Sequence, residues 1–187
     1  MPEGLQSVRL KRLYSYYAAL FHQAGGVPSR AELDPSAITA SLPIVYLCNV
    51  AQIGQEIRFP FRLVGSSLVE TFHQDSTGLY VRDMLLGGWE HHIRDAHLMV
   101  LEAGAPVLTV KQITLNTGRD FFAEHLAMPM RLEEARIGMI FGGLELVRVE
   151  QRVLRMDLEQ VDWSRDVEAV RVLDRRALGM LADVAGA

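Results

Sequence analysis

Three strand-length segments follow one another in the second half of the chain, and their succession constrains the fold more than any other feature. They run over Val107–Leu115, Phe121–Met130 and Ile137–Val147. Asn116-Thr117-Gly118-Arg119, between the first two, has the composition of a tight turn. Because sequential strands joined by short turns pair as antiparallel neighbours, this half of the chain predicts an antiparallel sheet.

Two further strands are predicted upstream. Ile44–Val50 is apolar with little alternation, which indicates a strand covered on both faces. Ile57–Val64 alternates, and its predicted apolar face carries Phe59, Phe61 and Leu63. Gly54-Gln55 lies between the two segments and is typical of a short hairpin connection.

Short helices are predicted between the two groups of strands. Ser66–His73 has the length of one or two turns, and Tyr80–Leu86 forms a second short helix before Gly87-Gly88. Trp89–Ala103 is longer and carries an apolar stripe. The element order therefore predicts an α+β fold, a five-stranded antiparallel sheet with helices on one face.

The two ends of the chain extend this central domain, which we place at residues 28–148. Residues 1–27 contain a predicted amphipathic helix, Leu5–Gln23, whose apolar stripe could cover the second sheet face in its own subunit or in a partner. We predict a homodimer through that stripe, formed by Leu5, Leu13, Tyr17, Leu20 and Phe21. Residues 149–187 form a C-terminal extension with a predicted final helix, capped by Ser164 and containing the apolar residues Val170, Leu173, Ala177, Met180 and Val184.

Charge and cysteine content exclude several classes of partner and site. The net charge is −4, from 19 basic and 23 acidic residues with no basic stripe, so we expect no nucleic-acid partner. A single cysteine, Cys48, excludes an internal disulfide and a multi-thiolate metal site. No apolar segment approaches the ~20 residues that span a bilayer. Arg9, Lys11 and Arg12 interrupt the N-terminal apolar residues, so we expect no secretory signal and a cytoplasmic protein.

An ordered set of short motifs resembles a family of small bacterial PAS-like proteins, the fifth PAS group, formerly a domain of unknown function. The resemblance covers about Leu5–Gly143. The motifs are Pro28–Pro35, Leu42-Pro43, Phe61–Gly65 and Asp75–Gly78, followed by Glu124, Leu126, Pro129-Met130, Gly138 and Phe141-Gly142. The resemblance implies a five-stranded antiparallel sheet and a role in sensing, ligand binding or dimerisation in bacterial signalling, with no catalytic residues. The chain departs from the family at Leu79-Tyr80 and in the length of its tail after Gly143.

Aromatic, aliphatic and a few polar side chains could line a ligand cavity in such a domain, although core packing would account for most of them. The predicted pocket set is Tyr46, Phe61, Leu63, Phe72, Trp89, His97, Thr109 and His125.

His97 lies on the apolar stripe of the long helix and is the one candidate cofactor ligand. The resemblance places the axial histidine of PAS haem sensors on the equivalent helix, so haem ligation is an alternative to a core histidine. We favour the core histidine and expect no cofactor. His91 and Asp95, beside His92, share a helical face but lack a third ligand, so we expect no metal site.

These observations predict a non-catalytic sensory or regulatory module. A small apolar ligand or a signalling protein would shift its packing, and the terminal helices would pass the shift to a partner. One alternative is a small α+β enzyme that uses His97 or His125 as a general base. The other is a dimerisation scaffold that binds no ligand.

Overall fold

The computed structural model describes residues 5–83, 89–114, 120–133, 136–148 and 168–172. The helices are α1 (Val8–Gln23), α2 (Ser66–Phe72) and α3 (Trp89–Ala103). The strands are β1 (Val45–Asn49), β2 (Ala51–Ile53), β3 (Glu56–Arg58), β4 (Phe61–Val64), β5 (Val107–Thr114), β6 (Asp120–Glu133), β7 (Arg136–Arg148) and β8 (Glu168–Val172). Short 3₁₀ turns lie at Arg30–Glu32, Pro35–Ile38, Leu42–Ile44 and Val81–Asp83.

The main sheet has the strand order β4-β1-β7-β6-β5-β8, and every neighbouring pair is antiparallel. Five of its strands correspond to the five predicted from the sequence, so the predicted α+β fold is confirmed. The predicted strand Ile57–Val64 is divided, because its first residues belong to β3 and only Phe61–Val64 joins the main sheet as β4. The connection at Gly54 is a hairpin as expected, with φ 61° at that glycine. Its arms, β2 and β3, form a separate two-stranded sheet.

The sixth strand, β8, corrects the prediction for the C-terminal extension. Glu168–Val172 form a strand, whereas the apolar spacing through Val170 predicted a helix there. In the ladder with β5, Val170 lies opposite Thr109 and Val172 opposite Val107. A strand is favoured here because it satisfies the backbone of an otherwise open sheet edge and because valine suits a pleated strand. The rest of the predicted helix, which is residues 164–167 and the residues after 172, lies outside the described residues.

A β-bulge in β4 corrects the predicted face of Leu63. Leu47 pairs with Leu63, and the next residue of β1, Cys48, pairs with Phe61. One residue of β4 between these two pairs therefore has no partner in β1. The extra residue reverses the alternation. Phe61 therefore packs in the interior below α3, while Leu63 lies on the opposite face and is 41% exposed.

Two apolar cores lie on the two faces of the sheet. On one face α1 contributes Leu10, Leu13, Tyr14 and Tyr17, which pack on sheet residues that include Leu47, Leu126, Met128 and Phe141. The Tyr17 hydroxyl donates a hydrogen bond to the Pro129 carbonyl at 2.8 Å. On the other face, residues of α2 and α3 pack with those on the opposite side of β1, β5, β6 and β7.

The helix α1 thus covers the second sheet face of its own chain, which was one of the two predicted arrangements. Leu5, Leu13, Tyr17 and Leu20 are buried there and Phe21 packs against the same core. These five side chains are occupied within the chain, so the structure does not present them to a second copy. Dimerisation itself stays a prediction.

The start of α1 is attached to the centre of the sheet by a buried carboxylate. Glu124 of β6 is 0% exposed, and its oxygens accept the backbone N–H groups of Gln6 at 2.9 Å and Ser7 at 2.8 Å. Ser7 is the N-cap residue of the helix, since its Oγ accepts the N–H of Leu10. An ion pair between Arg9 and Glu145 of β7 adds a second link.

Candidate functional site

Four polar side chains meet between the sheet and α3, in what we call the tyrosine–histidine cluster: Tyr46, His97, Thr109 and His125. All four are buried, and His97 is 0% exposed. The Oη of Tyr46 lies 2.8 Å from Nε2 of His97 and 2.5 Å from Nε2 of His125. The Oγ1 of Thr109 lies 3.3 Å from Nδ1 of His125.

The sequence positions these groups through strand and helix periodicity. Tyr46 and Cys48 alternate with Leu47 along β1, so Tyr46 faces the α3 core while Leu47 faces α1. Thr109 and His125 are partners in the β5–β6 ladder and therefore lie side by side. His97 occupies the buried stripe of α3 with Ile93 and Val100.

Burial keeps the cluster uncharged. It lowers the pKa of His97 well below its ordinary 6.5, and the nearby His125 lowers it further. Burial also lowers the pKa of His125 to about 4 and raises the pKa of Tyr46 well above 10. Near neutral pH the two imidazoles are therefore neutral and the phenol is protonated. One polar atom of the cluster, Nδ1 of His97, has no hydrogen-bond partner among the described residues.

A small apolar cavity adjoins Tyr46. Its volume is about 20 Å³, which is room for roughly one water molecule. Its walls come from β1, β4, α2, α3 and β7 and include Tyr46, Phe61, Leu68, Phe72, Ile93 and Leu144. The described side chains around Tyr46 therefore leave little empty space between α2, α3 and the sheet.

The predicted pocket residues divide into four groups. Tyr46, Phe61 and Phe72 line the cavity, and His97, Thr109 and His125 join Tyr46 in the cluster. Leu63 lies elsewhere, because the bulge turns it to the other face. Trp89 begins α3, but its side chain lies outside the described residues.

Several residues of the site were absent from the predicted pocket set, among them Leu68, Ile93 and Leu144 of the cavity wall and two residues beside the cluster. Phe59 packs its ring edge-on to His97 with centroids 4.8 Å apart. Gly142 lies opposite Tyr46 in the β1–β7 ladder and leaves open the space that the tyrosine ring occupies. Strand pairing would have been needed to find Gly142, because nothing in the local sequence connects it to Tyr46.

The packing does not fit haem ligated through His97. The Nε2 of His97 is hydrogen-bonded to Tyr46, and His97 is not among the residues that line the cavity of about 20 Å³. Over the described part of the chain, no group of three or more His, Cys, Asp and Glu residues is placed to hold a metal ion. His91 and Asp95 lie instead beside Glu90 and Arg94 on the exposed side of α3.

Comparison with known families identifies the fold. A family model described as a PAS domain matches residues 5–145. This chain belongs to that PAS family. The match confirms the resemblance carried by the short motifs, and it extends from before α1 into β7, the last of the five predicted strands.

Solved structures similar to this PAS domain are distant. One is the Vibrio cholera VqmA–ligand–DNA complex, at 14% identity over 62% of this chain and 52% of that chain, with a TM-score of 0.47. Another is an RNA-binding light-oxygen-voltage receptor, at 18% identity over 68% of this chain and 37% of that chain, with a TM-score of 0.45. The chain thus matches about half of the first protein and little more than a third of the second.

Two further comparisons give no indication of function. No curated protein matches the sequence significantly. None of the helices in the described segments is both long enough and apolar enough to span a membrane.

Proposed function

We propose that this PAS domain is a non-catalytic sensory module in bacterial signalling. It binds a small, largely apolar ligand, or it binds a partner protein whose contact changes the packing of the same interior. The observation that carries the proposal is the position of Tyr46, which belongs to the tyrosine–histidine cluster and also lines the apolar cavity. A few fixed polar groups in an otherwise apolar interior are the usual composition of a small-molecule site.

Ligand entry would require the interior to open. The cavity holds roughly one water molecule, so a larger ligand must displace Phe61, Leu68 or Phe72. Leu68 and Phe72 belong to α2, a helix of seven residues, which is the shorter of the two helices in the wall. A ligand that binds the open arrangement more tightly than the closed one would increase the fraction of molecules in which α2 is displaced. We propose this conformational change as the signal.

The geometry of the histidines supports a non-catalytic role over the enzyme alternative. A general base must reach a substrate proton with an available nitrogen. Here Nε2 of both His97 and His125 is bonded to Tyr46, and Nδ1 of His125 lies against Thr109. The fourth nitrogen, Nδ1 of His97, is buried away from solvent. Among the described hydrogen bonds, no carboxylate orients either ring, and both rings are buried.

We retain the homodimer, a separate signalling protein as partner, a cytoplasmic location and the absence of nucleic-acid binding as proposals. Because the stripe of α1 is covered by its own sheet, a dimer through this helix would use its outer surface, where Val8 is 61% exposed. Light scattering at micromolar concentration tests this, and a strictly monomeric mass would count against the dimer. A stable dimer without any retained ligand would favour the scaffold alternative.

Native mass spectrometry of the freshly purified protein tests ligand binding. We expect a retained small molecule, or a rise in melting temperature with one member of an apolar ligand library. Leu68→Trp, which fills the cavity, should abolish that signal. Leu63→Trp, the matched control on the exposed face, should leave it unchanged. Ligand retention that is equal in both variants would contradict this site.

A further inference from the structure

The Tyr46 hydroxyl has one proton but meets two imidazole nitrogens. Its distances to Nε2 of His97 and Nε2 of His125 are both those of hydrogen bonds, 2.8 and 2.5 Å. A phenol can donate one hydrogen bond and accept others. With both rings neutral, one Nε2 must therefore accept the tyrosine proton, and the other must carry its own proton and donate it to the oxygen.

This restriction allows two arrangements of the cluster. In the first, His97 donates from Nε2 to Tyr46, Tyr46 donates to Nε2 of His125, and His125 donates from Nδ1 to Thr109. In the second, every bond is reversed: Thr109 donates to Nδ1 of His125, His125 donates from Nε2 to Tyr46, and Tyr46 donates to Nε2 of His97. The proton of His97 is then on Nδ1, the atom that has no partner in the cluster.

We propose that the tyrosine–histidine cluster is a two-state hydrogen-bond relay in which His97 and His125 always hold opposite tautomers. The relay runs from Nδ1 of His97 on α3 to the hydroxyl of Thr109 on β5. A group that donates a hydrogen bond to Nδ1 of His97 selects the first arrangement, and a group that accepts one selects the second. A polar contact at α3 therefore decides whether Thr109 accepts or donates.

The two arrangements contain the same number of protons. To pass from the first to the second, a local opening must first expose the buried Nδ1 of His97, and a water molecule then delivers one proton to it. The Nε2 proton of His97 then moves to Tyr46, the Tyr46 proton to Nε2 of His125, and the Nδ1 proton of His125 to Thr109. The original hydroxyl proton of Thr109 leaves to a second water molecule, so no net charge is created.

The Thr109 end of the relay lies on β5, the strand that pairs with β8. Thr109 is opposite Val170 in the β5–β8 ladder. Lys111, which is two residues after Thr109 on β5, contacts His92 of α3 and lies opposite Glu168 of β8. If the module senses a ligand as proposed above, the relay gives that event a route to β8; the relay itself does not depend on the ligand.

Nitrogen-15 NMR of the full chain, with each histidine ring assigned, tests the relay without any ligand. Near pH 7.5 we expect His97 and His125 to be neutral, one with its proton on Nδ1 and the other with its proton on Nε2. The same tautomer at both rings would overturn the proposal. An unchanged pair of tautomers in Tyr46→Phe would overturn it as well, because the phenol proton would then not set them.

The result of the tautomer measurement is independent of whether the protein binds a ligand. A failed tautomer test leaves the native mass spectrometry result standing, and a protein without a ligand can still show opposite tautomers. Should Tyr46→Phe not fold, the measurement on the unaltered chain decides alone. Tyr80→Phe is the matched control, since no hydrogen bond of its hydroxyl is present in the described structure, and it should leave both rings as they are.

Discussion

The ring of Tyr46 lies across Gly142, its partner in the β1–β7 ladder, in the space where any other residue would carry its Cβ. The central polar group of the site thus depends on the absence of a side chain on the neighbouring strand. This contact fixes the direction in which the hydroxyl reaches the two histidines.

Gly142→Ala should therefore displace the Tyr46 ring and destabilise the protein by roughly 2 kcal/mol or more, as overpacking of a core does. Gly143→Ala is the matched control. The added methyl there meets the ends of the Leu10 and Leu13 side chains, which can move. Urea denaturation measures both, and equal losses of stability in the two variants would contradict the special role of Gly142.

Tyr46→Phe removes the hydroxyl that both histidines share. The Nε2 atoms of His97 and His125 would be left buried without that partner, so we expect a loss of about 1–3 kcal/mol in the free energy of unfolding. Tyr80→Phe should change stability by less than about 0.5 kcal/mol, as substitutions near the surface usually do. A Tyr46→Phe variant as stable as the parent would show that the cluster is not held by this hydroxyl.

Stability should fall as the pH falls below about 6.5. The pKa of His125 is about 4 in the folded chain against an ordinary 6.5, and that of His97 is lowered in the same direction. Between these values the unfolded chain binds protons that the folded chain does not, so acid favours unfolding. At about 1.4 kcal/mol per pKa unit, His125 alone accounts for roughly 3 kcal/mol between pH 6.5 and 4.

Urea denaturation at pH 7.5 and pH 5 measures this dependence. His125→Gln should make the dependence shallower. His91→Gln, at a ring that is 74% exposed, should leave it unchanged. A slope that is the same in all three proteins would contradict the assignment to the cluster.

Cys48 should react with thiol reagents only when the chain unfolds. It is 0% exposed, and burial raises the pKa of its thiol well above 9, which disfavours the reactive thiolate. We expect an aromatic disulfide reagent to label Cys48 roughly a hundredfold more slowly in the native protein than in denaturant. Val8→Cys in a Cys48→Ala background supplies an exposed thiol as the control. Fast labelling of native Cys48 would contradict a closed interior.

The sequence predicted the sheet because its strands are apolar, short and separated by turns. It also placed Tyr46, His97, Thr109 and His125 in one candidate pocket, since polar residues within apolar strands and stripes usually become buried and must then find hydrogen-bond partners. Leu63 was placed on the wrong face, because the bulge that turns it away depends on the pairing of β4 with β1. The strand β8 was missed because the open edge of β5, and not local spacing, determines the conformation of Glu168–Val172.

The position of α1 has a consequence for how the protein can be divided. Its buried residues form one core with the sheet, and Glu124 of the central strand β6 accepts backbone N–H groups at its start. A fragment beginning at Pro28 would expose a row of apolar residues across a whole sheet face, and such a surface promotes aggregation. Any shortened form meant to retain native folding must therefore keep the N-terminal residues back to Leu5.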